Sequence, residues 1–286
     1  EGRGRLWEAM SPKNLSLTLE ALATAGCVLP AETKACLETS LKLKTIECGS
    51  AVQFFGKITT TSGKDYYIAM AIGDWYVYDG KVQSGSVKWY YSQDCVTWVD
   101  LEPCEAAQKE KALTLTSMLS GDLAKVFTVY EEQPLPEPEP VPEPAEGEEA
   151  VEPEAPEPLP PLEFPVTELE RLAAMVSTLG RSCPVHPKGA YVVNAKNLAV
   201  PSELFAGLAY PDKLESYVNG FLDSHPTLAS AVPGTWSLAY DAFAQTAVIK
   251  SLAFPGFCSY FNNAEKTYGN LYFGSGLPNA DLAFMV

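Results

Sequence analysis

The sequence predicts an α+β fold: antiparallel sheets with helices segregated to one side, in two related halves joined by a disordered Pro/Glu-rich insertion. Three observations carry that expectation. Short apolar runs of period two follow one another across tight turns, instead of alternating with helices as in a doubly wound α/β sheet. Helical spacing of leucines opens each half. A tract of alternating proline and glutamate lies between them.

In the N-terminal part, Leu15, Leu19 and Leu22 recur at i, i+4 and i+7, and Gly26 can stop that helix. A second helix follows Pro30, with Leu37 and Leu41 on one face. The period then changes to two. Val52, Phe54 and Ile58 mark one strand and Tyr66 to Met70 the next, with Thr61-Ser62-Gly63-Lys64 as the turn. Trp75 to Tyr78, Asp79-Gly80 and Val87 to Tyr91 read as a further hairpin, and a helix from Glu105 to Met118 closes the part.

The C-terminal part repeats that grammar. A helix is expected from Thr167 to Leu179, with Leu169, Leu172, Ala173 and Val176 on one stripe. Ser202 is a suitable N-cap for Glu203 to Leu208, and Pro211 can open a helix running to Phe221. Strands are expected at Trp236 to Tyr240, Ala247 to Ala253, Phe257 to Phe261 and Leu271 to Phe273, with Pro255-Gly256 as a turn.

The acidity of the chain is local. Of its 286 residues, 36 are Asp or Glu against 20 Lys or Arg, giving a net charge of −16. Twelve Glu and no Lys or Arg fall between Glu131 and Glu163, so the remainder carries only −4. The tract through Pro165 also holds twelve of the 23 prolines. Such a segment is expected to be extended and solvated, because proline removes helix donors and adjacent glutamates repel. Residues 1–9 read as a tag or upstream remnant, 10–130 as the N-terminal part, 131–165 as an acidic linker or insertion, and 166–286 as the C-terminal part, which can pack with 10–130 as one unit.

Composition removes several classes of function. No cluster of Lys and Arg offers a phosphate-neutralising face, so no nucleic acid is expected as a partner. No apolar run reaches the ~20 residues of a membrane span, and Glu1 to Met10 lacks the core of a secretory signal. Seven cysteines at scattered spacings point to free thiols in a reducing compartment.

The chemistry-bearing motifs are weak. Cys183-Pro184-Val185-His186 places a nucleophile near a base, flanked by prolines that suggest an extended surface loop. A zinc site would need two more ligands, and His225 is the only other histidine. Gly274-Ser275-Gly276 lacks the third glycine of a dinucleotide fingerprint, since Asn279 stands there. Glu131-Glu132 and Glu148-Glu149 lie in or beside the solvated tract, where no pKa shift is available for acid–base work. Trp89-Tyr90-Tyr91 with Trp98 could stack sugars or peptides, yet strand aromatics more often fill a core face. Pro158-Leu159-Pro160-Pro161 fits a proline-recognition motif without its usual basic neighbour. No catalytic residue, cofactor or metal ligand is therefore assigned. A peptide- or glycan-binding module and a Cys–His enzyme stand as the alternatives.

Tyr268-Gly269-Asn270-Leu271-Tyr272-Phe273-Gly274-Ser275-Gly276, followed by Asp281-Leu282-Ala283-Phe284-Met285, resembles the closing signature of the radial spoke head family of ciliary axonemes. Gly234-Thr235-Trp236-Ser237-Leu238 and Val248 to Gly256 are similar to that family's preceding strands, with Lys250 and Phe254 where it often has Arg and Trp. Leu41 to Ala69 and Pro187-Lys188-Gly189-Ala190 match two upstream blocks, and the total length fits the family's short member. The resemblance implies a structural, non-enzymatic subunit in the axoneme of cilia and flagella. It helps build the head that relays mechanical signals from the central pair to dynein. The implied partners are longer spoke head paralogues, other head subunits and a second copy of this chain, with functional contact to central pair projections.

Overall fold

The structure is a computed structural model that describes residues 15–71, 75–78, 81–84, 87–131, 162–196, 199–220 and 226–284. Helix α1 (Leu15–Ala21) runs into a 3-10 turn (Ala23–Ala25), and Gly26 ends it in the left-handed region with φ 96°. Helix α2 spans Ala31–Cys48 directly after Pro30, whose fixed φ suits the helix entrance.

Strands β1 (Val52–Ile58) and β2 (Tyr66–Ala71) form an antiparallel pair. The strands β3 (Trp75–Tyr78) and β4 (Lys81–Ser84) pair with each other. Strand β5 (Lys88–Ser92) lies between β2 and β6 (Val99–Leu101). Thus Trp75–Tyr78 takes Lys81–Ser84 as its hairpin mate, and the expected pairing with Val87 to Tyr91 does not form.

Helix α3 (Ala106–Thr114) is shorter than the expected Glu105 to Met118. The buried Arg171 guanidinium takes the carbonyls of Leu115 and Ser117, so these groups face a side chain rather than a helix donor. Strand β7 (Val126–Glu131) then pairs antiparallel with β8 (Leu162–Thr167), the last rung joining Glu131 to Leu162. Leu162 to Pro165, expected in the solvated tract, is therefore part of a strand; residues 132–161, including Glu132, Glu148, Glu149 and Pro158 to Pro161, lie outside the described residues.

Helix α4 (Glu168–Ser182) opens with a full capping box: the Thr167 hydroxyl accepts from the Glu170 N–H at 3.3 Å, and Glu170 accepts from the Thr167 N–H at 2.8 Å. Strands β9 (Val185–Pro187), β10 (Tyr191–Val193), β11 (Ala199–Pro201) and β12 (Tyr217–Asn219) form two small ladders, β9 with β12 and β10 with β11.

Neither helix expected in this stretch is present. Over 203–208, the Ser202 N–H donates to Ala190 and the Leu208 N–H to the Asn263 side chain, while Gly207 takes φ 100°. From Pro211 to Gly220, the described part of the range, there is one 3-10 turn (Leu214–Ser216), after which Tyr217 and Val218 are buried in β12. Tertiary partners outweigh the weak local helix preference.

Strands β13 (Trp236–Asp241), β14 (Thr246–Ser251), β15 (Phe257–Asn262) and β16 (Thr267–Gly274) form a meander. They continue into the first strands as one eight-stranded sheet, in the order β13-β14-β15-β16-β1-β2-β5-β6. All its ladders are antiparallel but one: β1 and β16 run parallel, with Gly56 opposite Tyr272. A Cβ on Gly56 would stand 2.1 Å from the Tyr272 carbonyl oxygen, so only glycine fits that seam. Phe55 is the extra residue of a bulge between Phe54 and Gly56.

The sheet is covered by helices on both faces, not on one side as the sequence suggested. Odd and even residues of each strand point to opposite faces. Ile68, Ile249, Phe257, Phe261 and Tyr272 pack with Leu172, Met175, Val176 and Leu179 of α4. Phe54, Ala69, Tyr90, Tyr260 and Leu271 pack with Leu19 of α1, Leu22, and Leu37 and Leu41 of α2. A periodic stripe shows that a helix buries one face, but not which face of a sheet receives it.

Candidate functional site

The densest polar cluster in the core is built around Glu168 and Arg171, both fully buried at the start of α4. Glu168 accepts four hydrogen bonds. The Tyr66 hydroxyl (2.9 Å) and the Gly121 N–H (2.7 Å) reach Oε1. The Ser120 hydroxyl (2.6 Å) and N–H (2.9 Å) reach Oε2. Burial alone would raise this carboxyl, but the bonds from Ser120, Gly121 and Tyr66 outweigh it and hold the group below its ordinary value. The Tyr66 hydroxyl moves the other way, pushed up by burial and by donating to the carboxylate.

Arg171 donates to Ser117 and to the Leu115 carbonyl, and its guanidinium lies 4.7 Å over the Phe127 ring. Its Nε has no hydrogen-bond partner among the described residues. The two side chains pin the 115–121 segment to α4. The cluster is a fastener: it offers no exposed acid or base to a substrate. Attention to carboxylate pairs in the acidic tract missed it. A usable signal was Glu168 directly after a capping threonine, with Arg171 inside an apolar helix stripe.

The sequence-predicted groups do not converge. Cys183 is buried at the C-terminal end of α4, and burial pushes its thiol up to about 12, away from the reactive thiolate. His186 is also buried: it sits in β9, its Nδ1 is 2.7 Å from the Gly220 carbonyl, and its ring meets Tyr191 and Tyr268 edge-on. The expected exposed loop is thus a buried strand, because Val185 to Pro187 pair with β12 and close over the core. His225 lies outside the described residues, and no group of three His, Cys, Asp or Glu among the described residues could hold a metal ion.

The aromatic set divides between the two faces. Tyr90 and Trp98 belong to the core under α1 and α2, where the Trp98 indole N–H donates to Ser40 at 3.0 Å. Trp89 and Tyr91 pack toward α4, Trp89 edge-on to Phe55 at 5.0 Å. They form no common stacking platform. The Gly276 N–H donates to the Tyr272 hydroxyl at 2.7 Å with φ 84°, which makes Gly274 to Gly276 a strand-end turn. All seven cysteines are free thiols, and Cys27 and Cys258 are both buried in the core under α1 and α2.

What the molecule leaves open is surface. A groove of about 640 Å³ runs between α1 and the outer strands, bordered by Leu17, Glu20, Tyr240, Lys250 and Tyr260. Beside it, β13 is the terminal strand of the eight-stranded sheet. No helix among the described residues is long and apolar enough to cross a membrane.

No protein-family model matches the chain. Its similarity to individual proteins is continuous. It is 28% identical over 303 aligned residues to the radial spoke head protein 9 homolog of Danio rerio, covering 97% of this chain and 100% of that protein. The chain is similar along its length to radial spoke head protein 9 homologs. The Xenopus tropicalis homolog is 27% identical over 303 residues and the Homo sapiens homolog 26% identical over 300, each with the same coverage of 97% and 100%. The resemblance carried by Tyr268 to Met285 therefore extends through the helices and strands of both parts. The radial spoke head protein 9 homologs match across the whole sheet, so the parallel β1–β16 seam lies within the shared region.

Proposed function

We propose that this chain is a structural, non-enzymatic subunit of the radial spoke head in the axoneme of cilia and flagella. There it helps assemble the head that relays mechanical signals from the central pair to dynein. The single observation that carries the reading is the end-to-end similarity to radial spoke head protein 9 homologs. The fold supports it: both faces of the sheet are packed with apolar side chains and the titratable cluster is a buried fastener, while an edge and a groove remain for partners. The partners are longer spoke head paralogues, other head subunits and a second copy of the chain, with central pair projections as the functional contact. The Pro/Glu tract is an acidic spacer whose twelve glutamates keep contacts with other acidic surfaces weak and salt-dependent.

Fractionation of cilia tests the reading. The chain should remain with demembranated axonemes and disappear from axonemes that have lost their radial spokes. Its persistence in spokeless axonemes, or release into the soluble fraction of normal cilia, would overturn the proposal.

A further inference from the structure

Protected sheet edges carry charges, prolines or bulges, or are very short. One edge of this sheet follows that rule: β6 has three residues, includes Asp100, and is followed by Glu102 and Pro103. The other does not. Strand β13 has six residues in unbroken register with β14, from Trp236 opposite Ser251 to Asp241 opposite Thr246. It contains no proline or lysine, and its one charge is at the end.

The hydrogen-bonding phase of β13 follows from its neighbours. Leu252 donates its N–H to the Thr235 carbonyl, which turns Thr235 toward β14. Alternation turns Ser237 and Ala239 the same way and leaves the N–H and C=O groups of Trp236, Leu238 and Tyr240 along the open edge. No described residue pairs with them there.

We infer that this edge pairs with β13 of a second copy of the chain, antiparallel about a two-fold axis through Leu238, so that the two sheets become one. The strand is complementary to itself in that register. The three edge-facing residues meet as Leu238 with Leu238 and Trp236 with Tyr240, all in hydrogen-bonded positions, for about six backbone bonds. On one face an aromatic pair flanks each side of a leucine pair, the kind of cross-strand contact that stabilises a ladder. On the other face the exposed Ser237 stands opposite Ala239, and both are small. Asp241 falls opposite Thr235, so no like charges meet. This inference rests on the scaffold reading, and it names the surface by which one subunit takes another.

The full chain should run in light scattering at twice its mass of 31.0 kDa. Leu238→Lys, which sets two ammonium groups face to face on the axis, should halve that mass while circular dichroism shows the chain still folded; its thermal midpoint falls, because Leu238 also packs against the core on the α4 side. Leu238→Cys supplies a check that does not depend on a disrupted surface. Residue 238 meets itself about 5.5 Å apart at Cα, within disulfide range, so copper phenanthroline should convert most of this variant to a covalent dimer. Ser237→Cys, which faces Ala239 instead of itself, should cross-link at least about fivefold less.

A monomeric wild type, or a dimer that Leu238→Lys leaves intact, overturns the inference. So does cross-linking no stronger at 238 than at 237. If the wild type is monomeric yet Leu238→Lys fails to enter axonemes, the edge takes a strand from a different subunit and the second copy is excluded. If the dimer behaves as described but the chain is absent from axonemes, the edge inference stands and the scaffold reading falls.

Discussion

Replacing Glu168 with glutamine keeps the shape of the buried fastener and removes its charge. The carboxylate satisfies four donors, two of which are the backbone N–H groups of Ser120 and Gly121, one on each oxygen. An amide can turn only one oxygen toward them. The Tyr66 and Ser120 hydroxyls can rotate to accept from the new NH2, but a backbone N–H cannot, so in either orientation one buried donor is orphaned. That orphan costs about 1–3 kcal/mol, and weakening the remaining charge-assisted bonds adds about 1 kcal/mol. The expected loss is about 3 kcal/mol, or roughly 1.5 M in the urea midpoint at a slope of about 2 kcal/mol/M.

The pH dependence has a definite sign. The folded carboxyl lies below its ordinary value of 4.5, so its contribution is complete above that pH and is lost as pH falls through the folded value. Urea titrations at pH 7 and at successively lower pH should show wild type and Glu168→Gln converging below about pH 4.5. A variant within about 0.5 kcal/mol of wild type at pH 7, or a gap that does not narrow on acidification, would refute the reasoning.

Three further outcomes follow from the same structure. Gly56→Ala drives a methyl into the Tyr272 carbonyl and should cost about 3 kcal/mol or more, seen as a lower thermal midpoint or loss of soluble chain. Deleting Val141 to Leu159 should leave the thermal midpoint within about 3 °C of wild type, because β7 and β8 already bring Glu131 and Leu162 side by side; loss of folded chain would contradict the spacer reading. Cys183, buried with its thiol pushed up to about 12, should be alkylated far more slowly than the exposed Cys36 by mass spectrometry of the native chain. Equal rates would show that α4 does not close over it.

Local signals account for much that was legible in the sequence. The leucine spacing and Gly26 define α1, and Pro30 marks the entrance to α2. Period-two alternation gives β13 nearly residue by residue and apolar runs locate β14 and β15, but the expected Leu271 to Phe273 is only the end of β16, which starts at Thr267. Non-local information decides the rest. The parallel seam joins Gly56 to Tyr272, and no turn signal links residues so far apart. Glu203 to Leu208 looks helical until Ala190 and Asn263 take its flanking backbone groups. The Glu168 cluster is hidden for the same reason, since its donors come from β2 and the 120–121 turn. Tyr268 to Met285 was informative as a pattern of residues, although nothing in its spacing revealed a partner.

The most direct test of the scaffold account is a density map of the assembled radial spoke head from cilia that express this chain. The account predicts that the eight-stranded sheet, with α4 on one face and α1 and α2 on the other, fits a discrete density bordered by other head subunits. A head whose density is fully explained by other chains, with no place for this sheet, would contradict it.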